Sequence, residues 1–162
     1  MADVFLGIGS NIEATTNLRL GVGELRRIYG ELELSAVYRS PPYGFTGDDF
    51  LNLVARLETT STPHDIHNDL ERIHELAGRS RAGGAYVART LDIDLLMYDQ
   101  LVLDEPPVRI PRDDVLEYSF VLKPLSEMAP QLVHPVTGVL LAEAWAVFDQ
   151  DRHPIERIDV IL

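Results

Sequence analysis

The sequence contains no cysteine. Disulfide bonds, thiolate metal sites and cysteine nucleophiles are therefore excluded, and any bound metal must be held by oxygen and nitrogen ligands. The sequence also lacks an apolar run close to the ~20 residues of a membrane-spanning helix. No basic segment and no signal-type apolar segment follows Met1. We therefore expect a soluble, cytoplasmic protein without a membrane partner.

Positively charged residues are scarce: the chain has one lysine, Lys123, and thirteen arginines, and its formal net charge is −12. Nucleic-acid surfaces depend on clustered cations, so no nucleic-acid partner is expected. Arg79, Arg81 and Arg89 nevertheless flank one glycine-containing loop. Arginine suits bidentate binding of phosphate, so this cluster indicates a phosphate site; salt bridges to an acidic surface are the alternative. The sequence has no G-x-x-x-x-G-K-[ST] motif, so a nucleotide would not be held by a P-loop.

The apolar pattern predicts one domain over residues 1–162. Alternating residues predict strands over 4–9, 32–40, 50–59 and 91–98, and the glycines of the first strand leave room for a group packed closely on its backbone. Helical spacing predicts helices over 16–29 and 63–77, the second with Thr62 as N-cap and Pro63 at its first position. A loop from 104 and a mostly helical C-terminal extension follow. This βαββαβ order predicts a ferredoxin-like α+β fold, with helices packed on one face of an antiparallel sheet.

Two aspartates, Asp92 and Asp94, interrupt an otherwise apolar strand. Residues two apart in a strand point to the same face, so the carboxylates are expected about 6.6 Å apart along the backbone. The opposite, buried face is expected to carry Leu91, Ile93, Leu95 and Met97. Because Mg²⁺ takes one or two protein carboxylates and completes its coordination with water and phosphate oxygens, the pair predicts a magnesium site. The alternative is a solvated sheet face that binds nothing.

The second predicted helix carries His67, Glu71 and His74 at positions i, i+4 and i+7. Side chains at this spacing share one helix face, and these three types could bind a transition metal. A solvated polar face is the more common explanation of such spacing, and it is the one we expect here.

Six short segments stand out by their order and spacing: IGSN at 8–11, YRSPPYG at 38–44, FLN at 50–52, GRSR at 78–81, RTLDIDLLMY at 89–98 and FVLKPLSEMAP at 120–130. Together they resemble the 6-hydroxymethyl-7,8-dihydropterin pyrophosphokinase family of folate biosynthesis, over about residues 4–135. The resemblance implies transfer of a pyrophosphoryl group from ATP to the hydroxymethyl group of a reduced pterin. The pterin and ATP would then be the small-molecule partners of a monomeric enzyme.

On the nucleotide side, the resemblance implies that Asp92 and Asp94 hold two Mg²⁺ ions on the ATP phosphates. Arg79 and Arg89 would be the catalytic arginines. The residues expected to bind ATP are Arg79, Arg81, Arg89, Leu95 through its backbone, and Arg112 in place of a histidine that family members carry.

On the pterin side, the resemblance implies that the ring lies between Phe50 and Phe120. Asn52 would hydrogen-bond the polar edge of the ring, since an amide offers both a donor and an acceptor to a flat heteroaromatic group. The remaining residues expected to line the pocket are Ser40, Pro41 and Tyr43.

Several positions on the nucleotide side depart from the family pattern. His74 stands where an acidic residue is usual, Val87 and Ala88 replace a Gly-Pro pair, and Tyr118 stands where an arginine is usual. A divergent pterin-binding paralogue with weak or altered nucleotide chemistry is therefore an alternative. A nucleotide-sugar transferase with a DxD motif is a third interpretation, disfavoured because such folds need a larger nucleotide domain than 162 residues provide.

Overall fold

The computed structural model describes residues 1–42, 47–78 and 91–162. Its strands are β1 (Ala2–Ser10), β2 (Glu33–Leu34), β3 (Val37–Ser40), β4 (Phe50–Thr59), β5 (Asp92–Tyr98), β6 (Leu103–Glu105), β7 (Val108–Ile110) and β8 (Glu156–Ile158). Its helices are α1 (Ala14–Tyr29), α2 (Pro63–Leu76), α3 (Asp114–Glu117), α4 (Ser119–Met128) and α5 (Leu141–Ala146). The predicted combination of helices with an antiparallel sheet is confirmed.

Within the described residues, six strands form the main sheet, in the order β5-β1-β4-β3-β8, with β2 also paired to β4. β1 is antiparallel to β4 along its whole length, from Ala2 opposite Thr59 to Ser10 opposite Leu51. β5 is antiparallel to β1 on the other side and lies at the edge of this sheet. One side of the β5 backbone therefore faces away from the main sheet, and its outward N–H and C=O groups need partners from elsewhere.

The first two helices form where the sequence predicts them, because their signals are local. α2 begins after Thr62, whose side-chain oxygen accepts the backbone N–H of Asp65 at 3.2 Å. α1 ends at Gly30, which has a φ of 84° and donates its N–H to the carbonyl of Arg26. A left-handed φ of this kind favours glycine, so Gly30 ends the helix as predicted.

The sheet buries apolar side chains on both faces. Val4, Leu6 and Ile8 of β1 pack with α1 and α2 in one core. Phe5 of the same strand packs in a second core, whose helical members are Val115, Val121, Leu122, Leu125 and Leu141. The C-terminal helices thus cover the face opposite to α1 and α2, whereas the sequence predicts helices on one face only.

α4 is attached to this second face through polar groups as well. The hydroxyl of Tyr38 in β3 donates to the carboxylate of Glu127. The Nζ atom of Lys123 lies 5.5 Å from the ring centroid of Tyr38 and 5.6 Å from that of Trp145. The single lysine of the chain therefore sits between two aromatic rings at a distance typical of cation–π contacts.

A bulge in β5 changes which face its later residues occupy. Leu95 pairs with Leu6, but Met97 pairs with Phe5, so Leu96 is an extra residue in the ladder. An extra residue reverses the alternation of side chains that follow it. Leu95 accordingly packs in the first core and Met97 in the second, so the prediction that Met97 shares a face with Ile93 is wrong.

Three further segments differ from the prediction. The predicted loop from 104 contains β6 and β7, a hairpin with Leu103 opposite Ile110; Pro106 and Pro107 occupy only its turn. The predicted strand 32–40 is divided into β2 and β3 by one extra residue, because Leu34 pairs with Ala55 but Tyr38 pairs with Asn52. β8, which pairs with β3, is not predicted.

No helix within residues 1–42, 47–78 and 91–162 is both long and apolar enough to cross a membrane.

Candidate active site

The two aspartates lie on one face of β5, before its bulge. Asp92 pairs with Gly9 of β1 and Asp94 pairs with Gly7. Their side chains are 29% and 32% exposed, respectively. Because β1 contributes glycine at both positions, none of its side chains stands between these carboxylates and β4. The side chains that oppose them in the strand, Ile93 and Leu95, are buried and hold the pair in place.

A row of paired residues connects Asp92 to Asn52 across three strands. Gly9 pairs with Asp92 on one side and with Asn52 of β4 on the other. A Cβ atom on Gly9 would lie 2.4 Å from Oδ1 of Asn52, so the amide of Asn52 lies directly over this glycine. Neighbouring strands are about 4.8 Å apart, which places the backbones of Asp92 and Asn52 about 9.6 Å apart. The predicted close packing against the glycines of β1 is confirmed, and at Gly9 the packed group is Asn52.

Arg112 reaches one of these carboxylates, that of Asp94, from the segment after β7. Its Nη1 lies 3.8 Å from Oδ1 of Asp94, and its Nη2 lies 3.2 Å from Oδ1 of Asp114. Burial lowers the pKa of Arg112, but the charges of Asp94 and Asp114 outweigh it and leave the pKa above its ordinary value. Its Nε is buried and has no hydrogen-bond partner within the described ranges of the chain. The structure therefore places a permanent positive charge beside Asp94.

His74 of α2 is buried at the edge of β5, with only 3% of its surface exposed. Its Nε2 accepts the backbone N–H of Ile93 at 2.8 Å, and its Nδ1 lies 3.1 Å from Oε1 of Glu71. The expectation of a solvated polar face is therefore wrong for His74. Because the Nε2 lone pair is engaged, His74 is also unsuited to the transition-metal alternative. The described part of the chain contains no group of three or more potential ligands for such a metal.

Leu95 lies in the same edge strand as Ile93, two residues further on. Its side chain is 8% exposed and belongs to the core with α1 and α2. Alternate residues of a strand direct their backbone groups to the same side, so the N–H of Leu95 faces outward as that of Ile93 does. At this edge Leu95 therefore presents its backbone, whereas its side chain is buried in the core.

A cleft of about 300 Å³ opens along this edge of the sheet. It lies between α2 and β7, and its polar lining includes His67, Glu71, Asp92, Asp94, Arg109 and Arg112. The cleft brings both carboxylates together with two arginines. It is therefore suited to a ligand that combines cations with anionic groups.

Three of the residues predicted to bind a pterin, Ser40, Phe50 and Asn52, lie on the same sheet face as Asp92. Phe50 and Asn52 are two apart in β4, and Phe50 pairs with Ser40 of β3. Ser40 is 2% exposed, whereas Pro41 is exposed. Phe120 is in the first turn of α4, the helix that packs on β3 and β4. The structure thus gathers Ser40, Phe50, Asn52 and Phe120 around one face of the sheet.

Three residues at this face are not among the predicted site residues. Asn11 is 3% exposed and donates its side-chain N–H to the carbonyl of Asp48 at 3.2 Å, which attaches the end of β1 to the segment before β4. The ring of Tyr118 stacks on Phe120, with centroids 5.1 Å apart and planes at 15°. Tyr38 pairs with Asn52. The IGSN segment signals Asn11, but no sequence pattern signals the stacking of Tyr118 on Phe120.

Some predicted positions lie outside the described residues. These are Tyr43 of the pterin set, Arg79, Arg81 and Arg89 of the nucleotide set, and Val87 and Ala88 among the departures from the family pattern.

Comparisons with known proteins match most of the chain. A family model described as 7,8-dihydro-6-hydroxymethylpterin-pyrophosphokinase (HPPK) matches residues 5–130. The 2-amino-4-hydroxy-6-hydroxymethyldihydropteridine pyrophosphokinase of Methylorubrum extorquens is 34% identical over 163 residues, covering 98% of this chain and 100% of the relative. The folic acid synthesis protein fol1 of Pneumocystis carinii is 32% identical over 156 residues, covering 94% of this chain. The chain spans 21% of the length of fol1.

A solved structure has a similar fold. The Plasmodium falciparum HPPK-DHPS structure with pterin and p-hydroxybenzoate superposes with a TM-score of 0.72 at 14% sequence identity. The superposition covers 90% of this chain and 42% of that chain. At this level of identity, the likeness extends to the fold alone.

Proposed function

This chain belongs to the 7,8-dihydro-6-hydroxymethylpterin-pyrophosphokinase (HPPK) family, and we propose that it transfers pyrophosphate from ATP to 6-hydroxymethyl-7,8-dihydropterin in folate biosynthesis. The observation that carries the proposal is the row from Asp92 through Gly9 to Asn52. It supports a site in which a metal-binding carboxylate and a pterin-binding amide share one rigid sheet face. We do not propose the divergent paralogue, because the family model spans both the pterin segments and the carboxylate strand.

Asp92 and Asp94 hold Mg²⁺ in this proposal, with two ions as the family resemblance implies. The donor set fits this metal, since both carboxylates lie on one strand face and each is about one-third exposed. Mg²⁺ needs only one or two protein carboxylates and takes water and phosphate oxygens for its other positions. When bound, the metal neutralises negative charge on the phosphates during transfer.

Arginines and one backbone segment bind the rest of the nucleotide. Arg112 lies beside Asp94 and contacts a phosphate that is bound there, because its charge is permanent and its partly exposed side chain lines the cleft. The backbone of Leu95 meets the adenine at the open edge of β5. Arg79, Arg81 and Arg89 contact the phosphates, and Arg79 and Arg89 assist the transfer.

The pterin binds on the other side of Gly9. Phe50 and Phe120 stack on its two faces, and Tyr118 supports Phe120 from behind by stacking on it. Asn52 pairs with the polar edge of the ring, and Gly9 leaves the space that its amide occupies. Ser40, Pro41 and Tyr43 complete the pocket.

The transfer forms one bond and breaks one. The hydroxymethyl oxygen of the pterin bonds to the β-phosphorus of ATP, and the bond from that phosphorus to the oxygen shared with the α-phosphorus breaks. AMP leaves with the electron pair, and the hydroxyl proton passes to water. The side chains contribute position and positive charge, which is what phosphoryl-type transfer chiefly requires.

The organisation of the protein is part of the same proposal. Residues 1–162 form one pterin pyrophosphokinase domain, which acts as a monomer in the cytoplasm. The fold is ferredoxin-like, which is supported by the order β5-β1-β4-β3 of the strands that correspond to the βαββαβ series.

The test is the formation of AMP from Mg·ATP and 6-hydroxymethyl-7,8-dihydropterin, measured by chromatography. We expect the wild-type protein to form AMP in a pterin-dependent manner and Asp94→Asn to lose at least about a hundredfold in rate, since outer-shell changes alone cost 10- to 100-fold at metal sites. Asp151→Asn, an exposed carboxylate near the C-terminus, is the matched control. Pterin binding without AMP formation by the wild-type protein would contradict the proposal.

A further inference from the structure

The buried backbone N–H of Ile93 needs a hydrogen-bond acceptor. Ile93 is 2% exposed and lies between Asp92 and Asp94 in the edge strand of the main sheet. A buried backbone N–H that faces away from the sheet cannot be satisfied by a neighbouring strand, and leaving it unpaired is costly. Its partner is the Nε2 of His74, at 2.8 Å.

This hydrogen bond fixes the protonation of the imidazole. A backbone N–H always donates, so the Nε2 of His74 must be the unprotonated acceptor. The ring proton is then on Nδ1, which donates to the carboxylate of Glu71 at 3.1 Å. Oδ1 of Asp92 lies 3.9 Å from Nε2, too far for a hydrogen bond. His74 therefore acts on the segment that carries the two carboxylates through the backbone of Ile93, and its Nε2 lone pair is not available to a metal.

The same contact connects the carboxylate pair to a firmly anchored helix. Ile66, Leu70 and Ile73 of α2 are buried in the core, and Thr62 caps the start of the helix. The N–H of Ile93 belongs to the peptide group that joins Ile93 to Asp92, between the two aspartate side chains. The orientation of this peptide group therefore affects the directions in which the Cβ atoms of Asp92 and Asp94 point. A tilt of this peptide group would change the distance between the two carboxylates.

We propose that His74 is a positioning residue, which holds Asp92 and Asp94 at the separation that Mg·ATP requires by accepting the N–H of Ile93. This inference rests on the proposed function for its effect on catalysis. Its structural part, the Nδ1–H tautomer bonded between Glu71 and Ile93, can be measured on the protein without substrates.

The first measurement is the ¹⁵N NMR spectrum of the histidine rings in the metal-free protein. We expect His74 in the Nδ1–H tautomer, with slow hydrogen exchange at the amide of Ile93. An Nε2–H tautomer, or fast exchange of the Ile93 amide, would overturn the inference whether or not the protein is an active enzyme.

The second measurement compares two substitutions. In His74→Gln the side-chain oxygen can reach the position of Nε2, whereas the shorter side chain of His74→Asn can reach only the position of Nδ1. We expect His74→Asn to raise the Mg²⁺ concentration for half-maximal rate by about tenfold, the effect typical of residues that orient metal ligands. The KM for the pterin should change by less than about twofold, and His74→Gln should stay within about threefold of the wild type. His64→Asn, an exposed histidine of the same helix, is the control.

Two outcomes of this comparison would overturn the inference. One is an unchanged Mg²⁺ dependence in His74→Asn, and the other is equal impairment of His74→Gln and His74→Asn. A wild-type protein that forms no AMP would overturn the proposed function instead, and the tautomer measurement would still decide the structural part.

Discussion

At the scale of single residues, Gly9 determines where the amide of Asn52 can lie. The Oδ1 atom of Asn52 occupies space that any side chain at position 9 would enter, at 2.4 Å from an added Cβ. The clash is with the end of a flexible side chain and not with backbone. A substitution at Gly9 can therefore be relieved by rotation of Asn52, which leaves the sheet intact but moves the proposed pterin contact.

We expect Gly9→Ala to weaken pterin binding by about tenfold, which corresponds to the ~1.4 kcal/mol of a typical hydrogen bond, with little loss of stability. The measurement is a pterin titration followed by fluorescence, together with urea unfolding. Gly23→Ala is the matched control, because an added Cβ there meets nothing within 4 Å. It should leave pterin binding unchanged and raise the free energy of unfolding by about 0.5–1 kcal/mol, since Gly23 lies inside α1. Equal pterin affinity in Gly9→Ala and the wild type would contradict this account of Asn52.

The residues of the site differ in how well the sequence reveals them. The shared face of Asp92 and Asp94 can be predicted from strand alternation alone, because alternation is a property of neighbouring residues. The burial of His74 cannot be predicted in this way, since it depends on β5 being an edge strand whose outward N–H lies beside α2. The position of Met97 is mispredicted for a similar reason, because the bulge at Leu96 appears only in the pairing with β1.

At the scale of elements, α1 and α2 can be predicted because each has an apolar stripe and a terminating glycine within one short segment, and α2 also has the Thr62 cap. β8 cannot, since its three residues acquire strand geometry only by pairing with β3, far earlier in the chain. The β6–β7 hairpin falls between these cases. Its two prolines signal the turn correctly, but the strands on either side are too short to show alternation.

His134, in the turn between α4 and α5, is expected to make the stability of the protein depend on pH. The buried Nδ1 of His134 faces the backbone N–H groups of Val136 and Thr137, at 3.3 Å each. Burial lowers the pKa of His134 below its ordinary value of 6.5. The unfolded chain therefore binds a proton more readily than the native protein, so stability is present above pH ~6.5 and is lost as the pH falls toward the lowered pKa.

In His134→Asn, the side-chain oxygen replaces Nδ1 as the acceptor and does not titrate. We expect the wild type to lose more of its free energy of unfolding than this variant when the pH falls from about 7.5 to about 5.5, across the ordinary pKa of histidine. Urea unfolding at both pH values measures the difference. An identical pH dependence in the two proteins would show that His134 does not carry this effect.

At the scale of the whole molecule, a net charge of −12 opposes compaction. Net charge far from zero destabilises the native state through self-repulsion, and dissolved salt screens that repulsion. Many of the ion pairs of the described ranges are at the surface, such as Arg27 with Glu24 and Arg39 with Glu156. Exposed pairs of this kind contribute little, so they should not reverse the effect of screening.

We therefore expect salt to stabilise the protein. Raising NaCl from about 0.01 M to about 0.1 M shortens the screening length from about 30 Å to about 10 Å, and the Tm should rise by about 2 °C, the shift that ~1 kcal/mol causes in a domain of this size. Thermal unfolding followed by circular dichroism measures it, with KCl as a control for ion-specific effects. A Tm that falls with added salt would indicate that attraction between surface charges outweighs repulsion.

The placement of Lys123 between the rings of Tyr38 and Trp145 has a practical consequence. Apart from the amino terminus, Lys123 carries the only primary amine of the chain. An amine-selective acylating reagent can therefore modify the protein at two positions, of which Lys123 is half-buried in the folded protein. The extent of acylation at Lys123 in the native and the denatured protein, read by mass spectrometry, measures how far its contacts with Tyr38 and Trp145 protect this amine, without any engineered label.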